Sequence, residues 1–115
     1  MQREINKYLF DISQACDLLV QFTAGKTFAD YTANPMLRSA VERQFEIVGE
    51  ALNHVLQLDP CLVSRISNTR RIISFRNRLI HAYASTADDV VWGVIENHLS
   101  VLQREIALLF NEPDK

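Results

Sequence analysis

The chain has 115 residues, 48% of them hydrophobic and 23% charged, with a formal net charge of −2. That is the make-up of one ordinary globular domain spanning 1–115, large enough to bury a core. No apolar run approaches the ~20 residues that a membrane-spanning helix needs, and the mild acidity argues against a general nucleic-acid coat.

Cys16 and Cys61 make no metal-like spacing and no disulfide framework, so they read as buried reduced thiols of a cytoplasmic protein. The start of the chain does not read as a signal peptide. No Gly-rich phosphate loop, HExxH or carboxylate trio is present, so neither a cofactor nor a metal is expected. The net charge hides an asymmetry. Between Pro60 and Ala87 there is no acid but five arginines: Arg65, Arg70, Arg71, Arg76 and Arg78. From Asp88 onward six acids face only Arg104 and Lys115. A basic strip on an acidic chain points to a local anionic ligand.

Helical periodicity runs through the whole chain. Ile5, Leu9, Ile12, Cys16 and Leu19 recur at three- and four-residue steps, which predicts an amphipathic helix over 3–22 ending near Gly25. Thr27 and Asp30 match a capping pair for a short helical turn. Asn34-Pro35 is a start signal, and Leu37, Val41, Phe45, Val48, Leu52 and Val55 then line one face until Asp59-Pro60 stops it. Asn68 is placed to cap a fourth helix. Thr86, with Asp88 and Asp89 in the first turn, opens a single last helix with a seam of Trp92, Ile95, Leu99, Leu102, Ile106 and Leu109. The sum is an all-α antiparallel bundle of four main helices plus a short one. Val90, Val91, Val94 and Val101 lie off the Trp92 stripe, which suggests a last helix covered on two sides, by tight wrapping or by a second copy in a homodimer.

The fourth helix carries the chemistry. In Arg76-Asn77-Arg78-Leu79-Ile80-His81-Ala82-Tyr83, Arg76 falls inside an apolar stripe made by Ile72, Leu79 and their neighbours, where an unpaired charge is expensive. Arginine offers a fork of donors for phosphate oxygens, and histidine moves protons near neutral pH. Asn77 can hydrogen-bond an oxygen or orient the imidazole. On an unbroken helix Arg76 and His81 lie ~140° apart, so one phosphate reaches both only if the helix deforms or the site is shared between two chains.

These residues, in order, resemble the HepT-like branch of the HEPN superfamily, whose signature is arginine, four residues, histidine, one residue, tyrosine. The resemblance extends to the segment from Leu37 to Leu52, to Asp59-Pro60, to Ile72 and Ile73 ahead of Phe75, and to Val90-Val91-Trp92 with Ile95 and Leu99. It implies a homodimeric, metal-independent endoribonuclease toxin with its site in the dimer cleft. On that pattern Arg76 and His81 are catalytic and Asn77 assists; Arg70, Arg71 and Arg78, from the basic strip, are expected to hold RNA phosphates. It also implies a partner, an MntA-like minimal nucleotidyltransferase antitoxin that adds AMP to the motif tyrosine, here Tyr83. Ala84-Ser85-Thr86-Ala87 departs from the aromatic, glycine and acid that often follow in the family.

Plainer readings stand beside this one. Arg76 would pair with Glu46 or Glu50, His81 would be a helix-end histidine, and Tyr83 a core aromatic. Arg65, Arg70 and Arg71 would be a solvated face, and Glu50 with His54 a two-ligand metal fragment lacking a third. In those cases the chain is a non-catalytic module that docks a nucleotidyltransferase or binds nucleotide, or a structural helical dimer.

Overall fold

The structure is a computed structural model that describes residues 2–81 and 87–111. Six α-helices follow in order: α1 Gln2–Thr23, α2 Phe28–Ala33, α3 Pro35–Leu58, α4 Thr69–Ile80, α5 Asp88–Asn97 and α6 Leu99–Phe110. A short 3-10 helix, Pro60–Ser64, joins α3 to α4. No strand occurs among the described residues, and no described helix is long and apolar enough to cross a membrane.

The start signals work as their chemistry dictates. Asp30 N–H donates to the Thr27 hydroxyl at 3.1 Å and Thr27 N–H to the Asp30 carboxylate at 2.9 Å, a complete capping box for α2. Asn34 accepts from Leu37 N–H at 3.1 Å with Pro35 at the first helical position of α3. Asn68 opens α4 in another way. It sits in the left-handed region at φ 62° and makes no side-chain cap bond, a conformation that asparagine tolerates better than most residues. Ser67 beside it holds the start of α4 to α6, donating from its N–H (2.9 Å) and its hydroxyl (2.8 Å) to the Glu105 carboxylate.

Helix α3 is the hub, with α1, α2, α4 and the 3-10 helix packed on it. Every member of the predicted stripes on α1 and α3 is buried, Cys16 among them, whereas Cys61, expected to be buried, is exposed on the 3-10 helix. Helix α1 runs antiparallel to α6, since Phe10 meets Phe110 (ring centroids 6.3 Å apart) and Asp17 accepts from Gln103 at 2.8 Å. Tyr31, from the short α2, is fully buried and packs on Trp92 with centroids 5.4 Å apart.

The expectation of one last helix is corrected. His98, at φ −126° and ψ −26°, breaks it into α5 and α6, although His98 N–H still bonds Val94 (2.9 Å) and Leu102 N–H still bonds His98 (3.0 Å). The turn serves packing: α5 stays with α2 through Trp92, while α6 is re-aimed along α1. The off-stripe valines also separate. Val91 is buried, but Val90, Val94 and Val101 line an open cavity of about 450 Å³ between α4 and the α5–α6 arm, floored by Phe45, Val48 and Phe75.

Helices α3 and α4 approach closely at Gly49. A Cβ built on Gly49 would lie 2.2 Å from the Arg76 Cβ and 2.6 Å from its Cγ, so only glycine fits there. Gly93, within α5, meets nothing within 4 Å. Gly49→Ala should therefore lower stability by roughly 1–3 kcal/mol through overpacking. Gly93→Ala should raise it by roughly 0.5–1 kcal/mol by removing a helix-interior glycine. Denaturant titration of the two variants checks the pair; equal effects would refute the tight α3–α4 contact.

Candidate active site on helix α4

Arg76 leaves α4 on the side that faces α3. The missing side chain at Gly49 forms a notch in which its Cβ and Cγ lie. The stem is held, its side chain is 26% exposed, and the guanidinium emerges at the edge of the α3–α4 contact. There Nη1 donates to the Asn77 side-chain oxygen at 2.9 Å and Nη2 stands 3.8 Å from the Glu50 carboxylate. The Nε–H is buried with no acceptor.

The plain pairing with Glu50 therefore exists, but loosely. At 3.8 Å, with a carboxylate side chain 57% exposed, it is a solvent-screened pair of small net value. Glu46, the other acid considered, instead pairs with Arg43 at 3.3 Å. A cation held by its stem, sharing one donor with an amide and facing an exposed carboxylate, keeps donor capacity for an incoming anion.

His81 ends α4 and is exposed. Its N–H still bonds the Asn77 carbonyl at 2.9 Å, so its Cα remains on the helical spiral and the departure to ψ 40° falls after it. The angular split between Arg76 and His81 thus persists, whereas Asn77 and His81 share the outer face one turn apart. Tyr83 lies outside the described residues.

The other three arginines go elsewhere. Arg70, Arg71 and Arg78 line the cavity between α4 and the α5–α6 arm, on the far side of α4 from the Gly49 notch. None of the three makes an ion pair among the described residues. The helix thus carries two basic features, Arg76 over α3 and a trio over the cavity, and a single chain does not merge them. Among the described residues no cluster of three or more histidine, cysteine or acidic groups stands ready to hold a metal ion.

Helix α3 contributes more than Gly49. Glu42, Glu46 and Glu50 recur every four residues along it. Burial pushes the Glu42 carboxyl above its usual range, Glu46 and Asp88 push it further, and Arg38 pulls it back. Burial likewise raises the Tyr31 phenol, whose hydroxyl has no hydrogen-bond partner. Sequence reasoning named Glu46 and Glu50 as plain partners of Arg76 and did not single out Gly49 or Glu42. The available signal was a glycine in mid-helix, where it weakens the helix unless close packing demands it.

Comparison with known proteins now decides the family. A family profile described as "Ribonuclease HepT-like" matches residues 12–109. The chain belongs to the HepT-like ribonuclease family. Among its relatives, "Probable ribonuclease HepT" of Thermococcus cleftensis is 31% identical over 103 residues, covering 90% of this chain and 93% of that protein. A "Putative RNase" of Caldanaerobacter subterraneus is 28% identical over 99 residues, covering 86% and 88% respectively. Another "Putative RNase", from Methanocaldococcus jannaschii, is 24% identical over 110 residues and covers 94% and 98%. No solved structure matches significantly. The HepT-like match spans α4 whole, together with the α3 notch that seats Arg76.

The raised Glu42 carboxyl has a consequence for stability. Its folded form favours the proton more than the unfolded chain does, so the stability it contributes is present at acid pH and is lost as pH rises through its folded value. Glu42→Gln should melt above the parent at pH 7, and the advantage should vanish below about pH 4. An equal shift in melting temperature at both pH values would contradict this assignment.

Proposed function

We propose that this chain is an endoribonuclease that cleaves RNA without a metal, working as a symmetric homodimer and silenced by a partner nucleotidyltransferase. The observation that carries the reading is the seating of Arg76. A cation clamped by its stem over Gly49, with its two terminal nitrogens at the edge of the α3–α4 contact beside Asn77 and Glu50, is arranged to grip a phosphate. Family membership and relatives named as ribonucleases support RNA as the substrate.

In this reading the 2′-oxygen of the RNA attacks the adjacent phosphorus and the bond from phosphorus to the 5′-oxygen breaks. The imidazole either takes the 2′-hydroxyl proton, with water protonating the departing 5′-oxygen, or protonates that oxygen while water takes the hydroxyl proton. Arg76 stabilises the extra charge on the phosphorane and Asn77 holds the guanidinium or an oxygen. The products are a 2′,3′-cyclic phosphate and a 5′-hydroxyl. DNA lacks the attacking hydroxyl and is spared.

Two observations support the dimer. Arg76 and His81 point to different sides of α4, so a phosphate that meets both is most simply shared between two copies. The cavity between α4 and the α5–α6 arm has an apolar floor, a basic wall with Arg70, Arg71 and Arg78, and three valines of the arm facing them. Under a two-fold axis a second copy covers Val90, Val94 and Val101. The trio of arginines then borders the shared cleft, where RNA phosphates pass.

Regulation falls on Tyr83, two residues after His81. AMP on its phenol adds bulk and negative charge beside a site that binds anions, which repels RNA. The donor is a minimal nucleotidyltransferase of the MntA type, and the two proteins form a toxin–antitoxin pair.

Cleavage of a labelled RNA should survive chelator and leave cyclic ends. His81→Ala should lower the rate by about 10²–10⁴-fold. Undiminished cleavage by a folded His81→Ala protein would sink the assignment. With the partner and ATP, intact-mass measurement should find AMP-sized additions on the parent that are absent from Tyr83→Phe, which stays active. Additions that persist in Tyr83→Phe would remove Tyr83 from the scheme.

A further inference from the structure

A second surface runs beside Arg76, on the other side of α3 from the cavity. Glu50, the acid facing Arg76, lies one helical turn from His54, about 6 Å along the axis. The His54 ring lies on the Tyr8 ring of α1, with centroids 4.7 Å apart and planes only 10° from parallel. Both residues are half-buried. The Lys7 ammonium stands 5.9 Å from the Tyr8 ring centroid.

Tyr8 packs half-buried against the core, and its stack on His54 lies at the edge of the α1–α3 contact. Leu9, Ile12, Leu52 and Val55 are almost wholly buried and carry that contact, and Tyr8 and His54 sit at its rim. What the rim holds is a flat π surface, fixed by two helices before any ligand arrives. The Lys7 ammonium flanks it, and Glu50, one turn along α3 from His54, meets the Arg76 guanidinium. Single-stranded RNA is recognised through such surfaces, because unstacked bases lie on aromatic and histidine rings while cations follow the backbone.

We propose that Tyr8 and His54 form a stacking subsite for a nucleobase of single-stranded RNA, next to the phosphate held by Arg76. This rests on the ribonuclease reading. The base lies against the His54 ring, which Tyr8 holds in plane, and Lys7 meets the adjoining phosphate. His54 is here a binding residue with no proton to transfer, so a flat ring without nitrogen replaces it. Stacking of this kind tolerates any base, since each has a π face. The subsite therefore selects unpaired RNA over duplex, whose bases are already stacked.

The probe is a fluorescein-labelled 2′-O-methyl hexaribonucleotide, which cannot be cleaved because its 2′-oxygen is blocked. Its affinity is read by anisotropy for the parent, Tyr8→Ala, His54→Ala, His54→Gln and His54→Phe, with melting curves to confirm folding. The three variants that remove a ring should bind about 5- to 100-fold more weakly, and His54→Phe should stay close to the parent. Removing bases one at a time from the probe should expose one position whose loss weakens the parent by a similar factor and His54→Ala hardly at all. Equal affinities across the variants, or base losses that are the same in parent and His54→Ala, would overturn the subsite. The two readings fail separately. Tight, ring-dependent binding by a protein that cuts no RNA would remove the ribonuclease and keep the subsite, while cleavage with ring-independent binding would do the reverse.

Discussion

Arg76 can cross α3 where it does because position 49 carries no side chain, and the orientation of α4 depends on that crossing. With the Arg76 stem in the Gly49 notch, α4 is fixed in depth and in rotation about its own axis. The other side chains then follow from the helical repeat. Phe75 turns onto Phe45, edge to face at 5.3 Å between centroids, and Leu79 is buried. Arg71 and Arg78 turn toward the α5–α6 arm, and Asn77 and His81 turn outward. One close contact between helices thus distributes every charged group of the motif. It also explains how a guanidinium tolerates an apolar stripe: the methylene stem is buried, the charged head reaches the edge, and one N–H is left dry and unpaired.

The same rotation opens the opposite side of α4. Ser67 and Glu105 tie the start of α4 to α6, but farther along the two walls part around the cavity. Among the described residues no element closes the space that three valines and two phenylalanines face. In the proposed dimer a second copy covers it. The split motif and the unfilled cavity are then consequences of one arrangement.

Much of this was legible in the sequence, for identifiable reasons. The stripes of α1 and α3 are long, strictly periodic and bounded by Thr27, Asn34-Pro35 and Asp59-Pro60, so local chemistry and burial agree there. Arg76 stood out because it broke that agreement, and the ~140° between Arg76 and His81 needed only the helical repeat. The role of Gly49 was hidden because it depends on which side chain of another helix lies above it. The break at His98 was hidden too, since no proline or glycine marks it and its cause is the different partners of α5 and α6. Asn68 was placed correctly at the start of α4 but for a different reason, its left-handed backbone rather than its side chain. Val91 was grouped with valines that face the cavity, yet it is 1% exposed in the core, because on α5 it turns about 100° from Val90, toward the side that Trp92 buries.

The central claim is that Arg76 of one chain and His81 of another act on the same phosphate. It is tested most directly by a heterodimer of Arg76→Ala and His81→Ala chains, co-expressed with different tags and isolated through both. Each variant alone should be inactive, yet the heterodimer should regain about half of the parental rate, because one of its two composite sites is intact. A heterodimer as inactive as its parents, or variant chains that never co-purify, would contradict the shared site.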